Sequence, residues 1–181
     1  MPLTDVTVIA NSQQWLERAV IGLNLCPFAR APYLGDQVRF AVSQAETPDA
    51  LLEDLIAALQ ELAATNSDSL ETTLLIHPRA LLDFMDFNDF LAVADATLDA
   101  LDLDGIIQIA SFHPQYQFAG TDPDAMENFS NRSPYPTLHL LRESSVAWAA
   151  DAMPDPDSIY RDNIARLERL GRQGWEKLWQ E

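Results

Sequence analysis

The chain carries a single cysteine, Cys26, so it can form no disulfide with itself, and a reducing, cytoplasmic setting is the expectation. Lys177 is the only lysine, and 11 basic side chains face 28 acidic ones for a net charge of −17. Nucleic acid and anionic lipid both need clustered Lys and Arg, so neither is an expected partner. No run approaches the ~18 apolar residues of a membrane span. The start, Met1 to Asp5, lacks the basic stretch and long apolar core of a signal peptide. The six glycines are scattered, with no GxGxxG, no P-loop and no GxSxG. HxH, HxxH and CxxC spacings are absent too, so no metal and no cofactor is expected.

What is present is a globular composition, 48% hydrophobic and 22% charged over 181 residues. That suffices for a core, and residues 1–181 are read as one domain. The charge is local. Between Phe40 and Asn131 there is one base, Arg79, against 17 acids. Most of it reads as solvated surface that aids solubility.

Periodicity supplies the elements. Thr4–Gly22 has helical spacing, with Gly22 at the C-cap. Gln37–Val42 alternates as a strand. Thr47-Pro48-Asp49 opens a helix with an apolar stripe through Leu51, Leu55, Leu59 and Leu62. Thr72–His77 is a buried-type strand, Asn88–Leu101 a second amphipathic helix and Gly105–Phe112 a third strand. A long polar loop, 115–136, precedes the strand Thr137–Leu141, and helical patterns follow near Glu143–Ala150 and Asp157–Trp179. Alternating strands and helices predict an α/β single-domain sandwich, with a roughly four-stranded parallel or mixed sheet flanked by helices. TTLLIHP and QIASFHP both end a strand with His-Pro, which puts His77 and His113 where α/β sheets bind ligands if those strands are parallel.

Three segments stand out: GLNLCPFAR (22–30), ASFHPQYQF (110–118) and ENFSNRSPYPTLHLLRE (127–143). Together they resemble the uncharacterised bacterial and plant domain-of-unknown-function family 1415, over nearly the whole chain. The resemblance implies kinship and no reaction.

Residue chemistry therefore carries the functional reading. Cys26 precedes Pro27; if Phe28–Ala31 starts a helical turn, the thiol caps it and is activated by unpaired N–H groups. Equally, a free cysteine is a small buried residue. His113 reads as a general base or as a strand-end ring satisfying a carbonyl, and His139 as its partner or as a core residue. Arg132 is the first base after 52 residues without one, and with Arg142 it reads as a clamp for a small anionic ligand. The alternative is internal pairing to acids. Asn128, Asn131 and Tyr116 complete the binding set, although the asparagines equally suit loop-fixing turns.

Three functions stay open. The first is a small-molecule enzyme with Cys26, His113 and His139 catalytic. The second is a non-catalytic binding or regulatory domain. The third is a metal-assisted hydrolase using His113, His139 and Glu127, Asp122 or Cys26. Trp175 and Trp179 read as packing or as an oligomer contact, so monomer and homodimer both stand.

Overall fold

A computed structural model describes residues 3–180. The chain runs α1 (Asp5–Trp15), a π-helical turn (Leu16–Ile21), α2 (Arg30–Leu34), β1 (Val38–Val42), α3 (Pro48–Ala64), β2 (Thr72–Ile76), α4 (Phe84–Ala100) and β3 (Ile107–Phe112). A 3₁₀ turn (Met126–Asn131), β4 (Thr137–Arg142), α5 (Glu143–Asp151) and α6 (Ser158–Lys177) complete it. The four strands form one mixed sheet in the order β1-β2-β4-β3. β1 and β2 are parallel, and β4 lies antiparallel between β2 and β3. β1, β2 and β3 therefore point the same way, and His77 and His113 follow strands that end on one edge. The α/β sandwich expected from the sequence is present. No helix among the described residues is long and apolar enough to cross a membrane.

Alternation decides the two faces. Leu75, Leu138, Leu140 and Ile107 face α3 and α4 and form the main core with Leu51, Leu55, Leu59 and Phe87. Leu74 and Ile76 face the other way and pack with Val8 of α1, and Phe40 joins them. On that side Trp15, Leu16 and Val20 meet Phe129, Leu167 and Trp175.

Local chemistry shifts several boundaries. Asp83 accepts from the N–H groups of Met85 and Asp86, so α4 begins at Phe84, ahead of the expected Asn88. Thr47 caps α3 with Pro48 in its first turn, as its sequence dictates. The first helix does not run straight to Gly22. Gly22 N–H donates to Glu17 O and Leu25 N–H to Val20 O, the wide spacing of a π turn. Gly22 itself is right-handed, with φ −62°. A Cβ there would lie 2.3 Å from Arg18 O, so glycine is required for close approach. The left-handed residue is Asn24, with φ 52°. Nor does a helix begin at Phe28: Cys26 opens a turn closed by Ala29 N–H on Cys26 O at 3.2 Å, and α2 follows from Arg30. Inside α6, Gly171 takes φ 64° and breaks the helix, a conformation open to glycine. The long loop is no bare connection, since its 3₁₀ turn packs against α6 through Phe129 and Trp175.

Candidate functional site

The two His-Pro histidines converge on one aromatic ring. His113 Nε2 donates to Leu81 O at 3.2 Å, and its Nδ1 accepts from Gln115 N–H at 3.0 Å. Both ring nitrogens are thereby used, and the ring lies 5.0 Å from Phe87. His77 also stacks on Phe87, at 5.7 Å, and donates from Nδ1 to Ala80 O. Its Nε2 is buried with no partner among the described residues. Burial drives both pKa values down, that of His77 to about 4. These are neutral packing groups on the α4 side of the sheet.

His139 is elsewhere. It shares a strand face with Thr137 and Leu141 and pairs with Leu74 and Ala110 across the ladder. That is the α1 side, opposite His113. The hydrogen bonds there determine its tautomer. Thr72 Oγ1 donates its one proton to Leu140 O at 2.7 Å. The 2.6 Å contact with His139 Nε2 must therefore carry the ring's proton to Thr72. Nδ1 is left an acceptor, with no partner among the described residues. Burial holds the ring neutral, with a pKa of about 4. The ring is shielded from bulk water yet borders a cavity of about 310 Å³ between the sheet and the helices.

Cys26 lines the same cavity. With Val20 and Phe112 it also lines a more open cleft of about 720 Å³, whose polar wall includes Glu127, Asn131 and Tyr160. The thiol thus sits where the two spaces meet. The π turn matters here: it carries Leu16 and Val20, which form the inner wall with Trp15 just before it. Burial pushes the Cys26 pKa up, and hydrogen bonds from the backbone at Phe28 and Ala29 offset only part of that. The midpoint of its iodoacetamide alkylation–pH profile is expected above the value of ~8.5 for a free cysteine. A midpoint at or below that value would mark an activated thiol.

The arginines face different tasks from those their sequence positions suggested. Arg142 Nη2 donates to Leu62 O, Thr65 O and Leu70 O, at 2.9, 2.7 and 2.8 Å. Its Nε also reaches Leu70 O. The partners are carbonyls at the end of α3 and just before β2, and no acid is among them. Arg132 donates from Nε to Tyr116 O and from Nη2 to Pro123 O, and its guanidinium lies 4.3 Å over the Phe129 ring. Asn128 is fully buried. Its Oδ1 accepts from Phe118 N–H and Thr121 Oγ1, and its Nδ2 donates to Asp122 O. It fixes the loop. Asn131 donates to Ser111 O from the open cleft's wall, and Tyr116 packs its ring on Phe84 and Phe118. Among the described residues no three His, Cys, Asp or Glu side chains converge as metal ligands.

The structure thus joins Cys26, His139 and Arg142 along one cavity and leaves His113, Arg132 and Asn128 outside it. Thr72, which orients His139, went unnoticed because its importance depends on the β2–β4 register. A family model described as a protein of unknown function (DUF1415) matches residues 7–177. No curated protein matches the chain, and no solved structure does.

Proposed function

The chain belongs to the DUF1415 family, whose function is unknown, and we propose that it binds a small, largely apolar molecule in the His139 cavity. The observation that carries this reading is the orientation of His139. A neutral ring with Nε2 committed to Thr72 offers an acceptor, unpaired among the described residues, in a mostly apolar wall whose other polar members are Glu71, Gln108, Arg142 and Ser145. Ligand pockets have that character: apolar walls with a few placed polar groups. A ligand with a single N–H or O–H donor is complementary to it. The space is roughly twice a 150 Å³ cavity that holds benzene, so a bicyclic ring is of suitable size.

Indole, with one donor, and 1-methylindole, with none, are matched probes. Calorimetry is expected to show indole binding roughly tenfold tighter than its methylated analogue. His139→Phe should erase that preference. Ala110→Leu, which adds bulk to the cavity floor, should abolish binding of both. Equal affinities in the native protein, or binding indifferent to Ala110→Leu, would overturn the reading.

A second reading, thiol chemistry at Cys26 with His139 as base, rests on the two residues lining one cavity. The two readings separate at Cys26→Ala. Simple binding survives that change, whereas thiol turnover does not.

A further inference from the structure

On the far side of Trp15 lies another cleft, of about 460 Å³, between the long loop and the end of α6. Its walls are aromatic and its charge is positive. Trp15, Phe129, Trp175 and Trp179 line it, together with Arg132 and Arg172. Phe129 meets Trp175 edge-on at 5.2 Å, and Trp175 meets Trp179 at 5.6 Å. Both guanidinium groups sit over the Phe129 ring, Arg132 at 4.3 Å and Arg172 at 5.7 Å.

Two like charges on one ring repel, and Asp124 beside them offsets part of that repulsion. Arg172 pairs with Asp124 at 2.6 Å, but that pair is exposed and is screened by water. Arg132 makes no ion pair among the described residues. Its Nε and Nη2 hold loop carbonyls, while Nη1 has no partner there. Burial and then the neighbouring Arg172 disfavour the charged form of Arg132, and Asp124 only partly opposes them. A chain with 28 acids and 11 bases has nonetheless gathered two arginines and three tryptophans around one cleft. The break at Gly171 makes this possible. It lets the end of α6 change direction and bring Arg172, Trp175 and Trp179 to the loop.

We propose that this cleft is a second binding site, selective for a planar aromatic carboxylate. The carboxylate bridges the free N–H groups of Arg132 and Arg172, and the ring lies against the tryptophans. Guanidinium groups suit carboxylates because they offer paired, coplanar donors. Burial against aromatic surface adds the affinity that a bare anion lacks.

The probe is 1-naphthoate, compared with neutral 1-naphthylmethanol and with acetate. Calorimetry and tryptophan quenching are expected to show saturable 1:1 binding of naphthoate, roughly tenfold tighter than of the alcohol. Acetate should compete poorly. Arg172→Gln, at an exposed position, should weaken naphthoate by a similar factor and leave the alcohol unchanged. Asp124→Asn, which frees the Arg172 fork, should tighten it. Ala110→Leu, which fills the other cavity, should have no effect. The proposal is overturned if naphthoate and the alcohol bind alike, if naphthoate does not saturate, or if Arg172→Gln changes nothing. Loss of naphthoate binding in Ala110→Leu would overturn it as well, by assigning the probe to the His139 cavity.

Discussion

Arg142→Met is expected to destabilise the fold by about 3–5 kcal/mol, measured as the urea unfolding free energy at neutral pH. The reason lies in α3. A helix leaves its last carbonyls without intrahelical donors, and its C-terminus carries partial negative charge. The last turn of α3 contains no basic residue of its own. Arg142 supplies the missing cation from β4, holding Leu62 O and Thr65 O together with Leu70 O just before β2. Hydrogen bonds from a charged donor are worth roughly 1.5–3 kcal/mol each, and partners left buried and unpaired cost more than the bond returned. Methionine keeps the aliphatic stem and removes every donor. Arg142→Lys should recover about half the loss, because one ammonium cannot reproduce the fork. A Met variant within about 1 kcal/mol of the native protein would show that water replaces the guanidinium without penalty.

The second large effect is acid sensitivity. His77 and His139 have folded pKa values of about 4, because burial opposes their charging. In the unfolded chain they titrate near ~6.5. Above that value both states are neutral and the histidines have no influence on stability. As the pH falls below it, the unfolded chain takes up protons that the folded chain refuses, so stability drops until about pH 4. Linkage makes this about 2 kcal/mol for each of the two between pH 7 and pH 5, roughly 4 in all. His113 adds to the same trend. Urea unfolding at pH 7 and pH 5 measures the difference. The double variant His77→Phe, His139→Phe should flatten it, whatever its absolute stability. A native protein equally stable at both values would mean that these rings accept protons while folded.

Much of the fold was readable because its signals are local. The Thr47-Pro48-Asp49 start of α3 and the His-Pro ends of β2 and β3 lie within a few residues of what they govern. The site was less legible. His113 and His139 looked like partners, yet they face opposite sides of the sheet. Only the antiparallel register of β4 reveals that, and strand direction leaves no mark in alternation. Arg142 looked like an anion clamp because its true partners lie 72 to 80 residues away and are backbone carbonyls. Every residue has a carbonyl, so no side chain advertised them. Arg172 drew no notice, since its role depends on the bend at Gly171.

Strand order also governs when the sheet can be completed. β2 and β3 are joined through α4, but in the finished sheet they are not neighbours, because β4 lies between them. During synthesis from the N-terminus, three strands and the helices α3 and α4 emerge first, with the facing edges of β2 and β3 unpaired. The sheet closes only after the long loop has been made and residues 137–142 slide between them. That strand brings His139 to its cavity and Arg142 to the end of α3 in the same step. Closing the sheet and assembling the candidate site are thus a single late event, and a nascent chain halted before β4 holds neither.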